Sequence, residues 1–441
     1  MSLFRTLVCL SLPTMVEEIL RTLLQYVDTA MVGQLGEQAT ASVSVTTTIT
    51  WLVSSVSAAI GTAVLALISQ AVGSGDRARA AKLSQQALFL SVACGLICGA
   101  VSVVLSPFIP VWMGAEEAIR AQASLYFFII SLPMVFRSAN SILGAAIRAT
   151  QNTRTPMLIS MGANGLNVVL NYVLIYMCRL GVTGAAIASA VSYTLSGILM
   201  YCAYRRTPML RWRWPEFSVD HGLLLRCAKV GLPMLGTSVT SCLGYVVFAG
   251  MVSDSMGTTV FAAHSIAVTA ETIFYIPGYG LRTAASALVG AALGEGNEGK
   301  LKAVSKLSVA LTVGMMFLSG VMLYFVARPL MGLFSPVDAV VELGAEMLRL
   351  VAFSEPFFGL MVVLEGIFYG MGRTRGAFLI ETGSMWGVRI LFTFLCVRVW
   401  GLGLRAVWYC MIADNVCKAI LFTGIFVLTY RDLCGKKSPL V

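Results

Sequence analysis

Long apolar segments recur along the whole chain, and they constrain its fold more than any other feature. Twelve of them are each long enough to cross a bilayer as a helix of about 20 residues. Their approximate bounds are 11–35, 43–71, 84–108, 118–147, 156–178, 182–204, 227–252, 258–292, 302–326, 343–370, 376–399 and 404–430. With 58% hydrophobic and only 12% charged residues, the sequence predicts an all-α polytopic membrane protein. We expect segments 43–71 and 258–292, which exceed the bilayer thickness, to tilt or protrude.

The loop cations alternate between the two sides of the membrane. If the N-terminus is cytoplasmic, the outer loops carry only Arg120, Arg179, Arg328, Arg398 and Arg405. The other loop cations, from Arg5 to Lys436 and Lys437, then lie inside. The positive-inside rule therefore predicts a multi-pass membrane protein with both termini in the cytoplasm. The net charge of +10 does not indicate a nucleic-acid partner, because the cations are scattered between apolar runs.

The longest basic segment separates two copies of one pattern. The pairs that match across it, at an offset of about 220 residues, are Pro13 and Pro233, Gly73 and Gly294, and Gly181 and Gly401. Six spans per copy preserve the orientation, which predicts two six-helix lobes related by a pseudo-two-fold axis along the membrane normal. We expect an N-lobe at 1–204, a cytoplasmic linker at 205–226 that lies on anionic lipid, and a C-lobe at 227–441.

Motifs for catalysis, nucleotide binding and cofactors are missing from the sequence. Gly294–Lys300 fits G-x-x-x-x-G-K, but Leu301 stands where a P-loop needs Ser or Thr, so this stretch is interpreted as a helix–helix turn. The 11 cysteines show no CxxC or Cys/His spacing. His221 and His264 are far apart in sequence, and HExxH and GxSxG do not occur. The sequence thus predicts a protein that is not an enzyme and has no cofactor. Its energy source is then expected to be an ion gradient.

The first apolar segment carries charges inside the bilayer. Glu17, Arg21 and Asp28 fall on one helix face, where Glu17 and Arg21 can pair. Asp28 has no basic residue one turn away, and intramembrane carboxylates usually serve function. The alternative is that Asp28 caps a helix end or pairs elsewhere.

Polar residues of two later spans reach a similar depth. Asn164, Asn167 and Asn171 share one face of span five, and Asn167 and Asn171 lie about 16–22 Å from the cytoplasmic side, close to the 25 Å or so expected for Asp28. Ser189 of span six lies at about 22 Å. A carboxylate among amide and hydroxyl oxygens suits a proton or Na⁺, with Asp28, Asn167 and Asn171 as the possible Na⁺ ligands. The alternative is that the amides only join helices.

The second half has acids and bases of its own inside spans. They are Glu271, Glu355, Glu365, Glu381, Arg282, Arg389 and the Asp414/Lys418 pair. We interpret Glu271, Arg282, Glu355 and Glu365 as residues that face substrate, and Asp414 with Lys418 as structural. The equally open alternative is that the acids pair with Arg282 and Arg389 to hold helices together. Aromatic and Met side chains suited to flat cations are Tyr26, Met31, Phe274 and Tyr275.

Three runs resemble the multidrug and toxic compound extrusion (MATE) family. They are VDTAMVG at 27–33, SQAVGSG at 69–75 and IPGYG at 276–280. The resemblance covers nearly the whole chain and includes the 6+6 repeat. It implies secondary active export of organic, often cationic, compounds against H⁺ or Na⁺, by a V-shaped pair of six-helix lobes. We expect the protein to be a monomer. The resemblance also implies that Asp28 is the coupling-ion carboxylate of the N-lobe.

The chain departs from this family pattern in span five. Relatives with an N-lobe cation site have an Asn and an Asp four residues apart there, and a Thr in span six, whereas this chain has Asn167, Asn171 and Ser189. Losing one carboxylate favours H⁺ over Na⁺. The absence of an acid between Leu232 and Val252 in span seven favours the bacterial DNA-damage-inducible branch. A flippase for lipid-linked saccharides is the alternative from a related class, and it requires a strongly basic cavity.

Overall fold

The computed structural model describes residues 3–435, which form helices joined by short turns. In chain order the helices are α1 (Leu3–Gly33), α2 (Glu37–Gly73), α3 (Arg77–Leu105), α4 (Ile109–Trp112), α5 (Glu117–Ser131), α6 (Met134–Ala149), α7 (Arg154–Asn171), α8 (Gly181–Arg206), α9 (His221–Met256), α10 (Thr258–Gly294), α11 (Glu298–Phe334), α12 (Asp338–Ala352), α13 (Glu355–Gly370), α14 (Thr374–Ser384), α15 (Leu391–Phe394) and α16 (Leu404–Gly435). Wider π-helical turns follow α7 (Tyr172–Met177), α14 (Met385–Ile390) and α15 (Leu395–Val399). Lys436 and Lys437, which the orientation argument uses, lie outside the described residues.

The described chain has 9 helices that are long and apolar enough to cross a membrane, and up to 11 spans when each bent pair counts as one. The bent pairs are α5 with α6 and α12 with α13. The remaining predicted span is α1, a helix of 31 residues that carries the intramembrane charges. All twelve predicted segments are therefore helical. Unusual length is not confined to the two predicted segments, because α11 matches α2 and α10 at 37 residues.

Spans four and ten are broken instead of straight. The axes bend by 49° between α5 and α6 and by 58° between α12 and α13. Pro133 stands at the first break and Pro356 in the first turn after the second. Proline lacks the backbone N–H that would continue the helical hydrogen bonds, so the chain turns there.

The same turn joins α2 to α3 and α10 to α11. Gly75 and Gly296 adopt φ angles of 72° and 65°, which glycine tolerates without strain. The next residue caps the following helix: Asp76 accepts from the Arg79 N–H at 2.9 Å, and Asn297 from the Lys300 N–H at 2.9 Å. The stretch resembling a P-loop is thus a capped helix–helix turn, as predicted.

Contacts divide the chain into two compact units. The N-terminal unit comprises residues 12–235, and the C-terminal unit comprises the described part of 236–441 with that of 1–11. The segment after α8 packs on α3, where the buried Gln85 and Gln86 donate to the main-chain oxygens of Glu216 (3.1 Å) and Ser218 (2.7 Å). Segment 207–220 therefore belongs structurally to the N-terminal unit. The lobe boundaries at 204 and 227 stay a prediction.

Candidate functional site

Four polar residues form one chain of hydrogen bonds in the N-terminal unit. Asn171 Nδ2 on α7 donates to Asp28 Oδ1 on α1 at 2.5 Å, and also to Asn167 Oδ1 at 3.0 Å. Asn167 Nδ2 in turn donates to Ser189 Oγ on α8 at 3.4 Å. The structure therefore brings together the four residues that sequence spacing placed at one depth. Asn164 makes no hydrogen bond to any of these four residues.

Local helix geometry holds Asn167 and Asn171 inward. They are four residues apart on one face, and their exposed fractions are 4% and 1%. Directly after Asn171 the helix widens into the π-helical turn, a feature often found at functional sites. Tyr176 of that turn donates to Met31 O at 3.1 Å, which fixes the turn against α1 close to Asp28.

One acceptor at this site is unused. Asn171 Oδ1 is buried and has no hydrogen-bond partner among the described residues. A buried amide oxygen without a donor costs free energy, about 1–3 kcal/mol by analogy with mutational data. The site therefore has one unpaired acceptor, Asn171 Oδ1, beside the half-buried carboxylate of Asp28.

The predicted pairing of Glu17 with Arg21 is wrong. Arg21 pairs with Glu18 at 2.5 Å on the surface, whereas Glu17 binds Arg148 of α6 at 2.8 Å. Ser160 of α7 also donates to Glu17, at 2.8 Å. The Arg148 guanidinium compensates the largely buried Glu17 carboxylate, while Arg21 points its charge to the surface. Sequence reasoning counted Arg148 as a loop cation and so missed this contact.

The two N-terminal residues proposed to face substrate, Tyr26 and Met31, are partly exposed on α1. Met31 also packs against a small buried cluster that includes Val32, Ile175 and Val182. Part of its side chain therefore serves packing.

In the C-terminal unit Glu365 is paired. Its carboxylate accepts from Arg282 Nη1 of α10 at 2.9 Å and from the Tyr369 hydroxyl of α13. Arg282 also lies over the Tyr279 ring, 4.9 Å from its centroid. For Glu365 and Arg282 the structure favours the alternative in which the two residues hold helices together.

Glu271 lies on the same helix as Arg282 but does not pair with it. It is 1% exposed and accepts a hydrogen bond from Tyr275. The Tyr275 ring stacks on Phe358 of α13, with 3.9 Å between the ring centroids. Phe274 is 8% exposed and belongs to a large buried hydrophobic cluster of this unit. For Phe274 this position favours packing over substrate contact.

Glu355 is the first residue of α13, directly after the bend. It is 1% exposed, and neither of its carboxyl oxygens has a hydrogen-bond partner among the described residues. Its side chain lies against α11, since a Cβ built at Gly320 would be 3.1 Å from Glu355 Cβ. A buried carboxylate without a partner is costly, so Glu355 is the least compensated acid among the described residues of this unit.

A cluster of four charges joins α14, its π-helical turn and α16. Asp414 lies 3.0 Å from Arg389 Nε and 3.3 Å from Lys418 Nζ, and Ser384 donates to it at 2.6 Å. Lys418 Nζ also lies 2.8 Å from Glu381. The predicted Asp414/Lys418 contact exists, but sequence reasoning missed that Lys418, not an arginine, pairs with Glu381. Two acids and two bases cancel here, as expected of a structural cluster.

No group of three His, Cys, Asp or Glu side chains that could hold a metal occurs among residues 3–435. The N-terminal site offers one carboxylate with amide and hydroxyl groups. Its Asn171 amide directs N–H, not oxygen, at that carboxylate.

Comparison with known proteins gives the lineage of this chain. The model of the MatE family matches residues 13–173 and 233–395, one match in each half. The chain belongs to the MatE family. A relative described as a probable multidrug resistance protein NorM, from Thermotoga maritima, is 26% identical over 95% of this chain and 90% of its own length. The multidrug resistance protein PmpM of Pseudomonas aeruginosa is 25% identical over 87% of this chain and 82% of its own.

A solved MATE family transporter of the MOP superfamily, in its outward-facing conformation, superposes with a TM-score of 0.93. The match covers 98% of this chain and 97% of that one, at 20% identity. The predicted twelve-helix fold of two six-helix lobes is thereby confirmed. As a MatE protein the chain is a multi-pass membrane transporter and not an enzyme.

Proposed function

We propose that this MatE protein exports organic cations across the bacterial cytoplasmic membrane in exchange for H⁺, by alternating access. The names of its relatives support drug export, since NorM and PmpM are both described as multidrug resistance proteins. The observation that carries the choice of coupling ion is the hydrogen bond from Asn171 Nδ2 to Asp28.

That hydrogen bond favours H⁺ over Na⁺. A Na⁺ site needs several oxygens directed at one point. Here the amide directs its N–H at the carboxylate and its oxygen elsewhere, and the second carboxylate of Na⁺-binding relatives is absent. An ionised Asp28 is therefore held by a donor, and its remaining lone pairs can take a proton.

Protonation has a direct consequence for this chain of hydrogen bonds. A proton from external water converts Asp28 to a neutral acid with an O–H donor of its own. The unpartnered Asn171 Oδ1 can accept that donor if the amide group rotates. Rotation keeps α7 bound to α1 but withdraws the Asn171 N–H from Asn167 Oδ1, which lets Asn167 rearrange against Ser189 of α8. We propose that this rearrangement couples proton entry to substrate release, and that proton delivery to the cytoplasm reverses it.

For substrate contact we retain Tyr26, Met31, Glu271, Tyr275 and Glu355. Partly exposed aromatic and Met side chains suit flat, variable cations. Glu271 and Glu355 supply anionic groups that substrate can compensate. Arg282 and Glu365, which bind each other, position α10 against α13 in this proposal.

The flippase alternative receives no comparable support. A pyrophosphate site needs free cations, whereas the intramembrane arginines of the described chain are engaged. Arg282 pairs with Glu365 and Arg389 with Asp414. Arg137 donates to Ser54 Oγ at 2.7 Å and lies over the Tyr193 ring.

The test is cation-dye transport in proteoliposomes with a pH gradient and a Na⁺ gradient imposed separately. We expect wild-type protein to transport on the pH gradient alone, and Asp28→Asn to lose that transport. Glu18→Gln is the matched control, because Glu18 is an acid of the same helix that pairs only at the surface. Transport that needs Na⁺, or full activity of Asp28→Asn, would contradict the proposal.

A further inference from the structure

A cavity of 450 Å³ opens at one end of the N-terminal unit, far from Asp28 in sequence. It lies between the first two turns of α3 and the first two turns of α9. Three cations line it: Arg79 and Lys82 from α3, and Arg226 from α9. The transport mechanism proposed above uses none of them.

These three cations have no ion-pair partner among the described residues. The nearest carboxylates in the lining are Asp76 and Asp220. Each is held by a backbone N–H at the start of a helix: Asp76 accepts from Arg79 N at 2.9 Å and Asp220 from Leu223 N at 3.1 Å. The acids thus serve as caps, and the cation side chains stay available for a ligand.

One wall of the cavity is held in place, because the linker segment 207–220 is fixed to α3. Gln86 is 0% exposed and binds the linker backbone on both sides, donating to Ser218 O at 2.7 Å and accepting from Asp220 N at 3.2 Å. This double contact holds Asp220 next to α3. It thereby sets the distance between the first turn of α9 and the cations of α3.

The surroundings of the cavity are those of a membrane interface. In the same linker, Trp212 is buried and donates to Tyr204 OH at 3.0 Å, while Trp214 is 60% exposed. Arg205 lies over both indole rings. Exposed Trp beside Arg, at the ends of spanning helices, is typical of the headgroup layer.

From this arrangement we infer that the cavity binds a phosphate group, carried by the headgroup of an anionic phospholipid. Two arginines and a lysine are the side chains that recognise phosphate by charge-assisted hydrogen bonds. The volume admits a phosphodiester headgroup, and acyl chains can continue along the apolar faces of α3 and α9. The lipid would then join α3 to the start of the helix that leads into the second half.

The experiment measures binding of dioctanoyl phosphatidylglycerol to the purified full-length protein in neutral detergent, by tryptophan fluorescence. The cavity variant is Arg79→Gln/Lys82→Gln/Arg226→Gln. The matched control is Arg154→Gln/Arg206→Gln/Arg211→Gln. It also removes three cations at or near helix ends, but none of them lines the cavity. Lys82→Glu is a milder second variant, since Lys82 is exposed and supports no described contact. Thermal unfolding confirms that each variant is folded.

We expect the cavity variant to bind the lipid about tenfold more weakly, Lys82→Glu also to bind it more weakly, and the control to stay within about twofold. Equal losses in both triple variants would overturn the proposal, because they would indicate only general charge attraction. Equal binding of dioctanoyl phosphatidylcholine would also overturn it. Binding of inorganic phosphate as tight as that of the lipid would overturn the proposal and assign the cavity to the free anion.

Discussion

Asn171 Nδ2 lies 2.5 Å from Asp28 Oδ1, so the intramembrane carboxylate of α1 is bound by an amide N–H of α7. In the repeat, the position equivalent to Asp28 is Phe248, whose ring lies 5.5 Å from His264. At this position the N-terminal unit therefore has an acid bound by span five, where the C-terminal unit has an aromatic ring. Ion coupling through this pair of spans is expected in the N-terminal unit alone.

Replacing Asn171 by Asp should change the ion dependence. The substitution supplies the second carboxylate of Na⁺-binding relatives and removes the N–H donor, so two acidic groups flank the unused space. We expect transport on a Na⁺ gradient to rise about tenfold and transport on a pH gradient to fall. Separate gradients in proteoliposomes measure both. Unchanged use of the two ions would show that Asn171 does not decide selectivity.

Removing Arg148 should destabilise the N-terminal unit. Arg148→Met leaves Glu17, whose side chain is 15% exposed, with only the Ser160 hydroxyl. Loss of one partner from a fully buried pair typically costs about 3–5 kcal/mol, and we expect less here because both side chains keep some exposure. We expect a clearly lower apparent Tm in detergent, and recovery of much of it in Glu17→Gln/Arg148→Met. Arg21→Met, which breaks a surface pair, serves as control and should change little.

Glu355→Leu should separate stability from transport. Leu is the residue at the equivalent break in the first half, Leu132, and it removes a buried carboxyl without a partner. We expect the free energy of unfolding to stay the same or rise by about 1 kcal/mol, because the cost of burying the carboxyl disappears. The apparent Tm should therefore not fall. Dye transport should fall about tenfold if Glu355 contacts substrate. Glu342→Gln, on an exposed side chain, is the control; a stable variant with normal transport would remove Glu355 from the site.

Close packing of α13 on α10 should be sensitive to a single methyl group. A Cβ at Gly370 would lie 2.3 Å from Ser286 O, a backbone atom that cannot move alone. Gly370→Ala should therefore destabilise the C-terminal unit by about 1–3 kcal/mol. At Gly376, in α14, a Cβ meets nothing within 4 Å, and Gly376→Ala should be neutral or slightly stabilising. Unfolding temperatures of the pair measure the difference.

Apolar length and internal repetition were enough to predict the helices, the turns at Gly75 and Gly296, and the two halves. These features follow from local chemistry: a bilayer requires helices of a minimum length, and a cap such as Asp76 acts within three residues. Spacing along helices also placed Asp28, Asn167, Asn171 and Ser189 at one depth. Their hydrogen bonds agree with that placement.

Partners between distant helices could not be predicted. The choice of Arg148 over Arg21 for Glu17, and of Lys418 for Glu381, depends on which faces meet after packing. Likewise, the sequence gives no signal that Gln85 and Gln86 bind the linker backbone, because a buried glutamine and an exposed one look alike in a sequence. A proline in the middle of spans four and ten was a visible signal for the bends.

The turn built by Gly75 and Asp76, and again by Gly296 and Asn297, has a consequence for the history of the gene. Its geometry is the same in both halves, while the acid Asp28 stands where the second half has the aromatic Phe248. The turn therefore dates from before the duplication that produced the two halves. One copy could then keep the acid while the other lost or never acquired it, because the scaffold tolerates either.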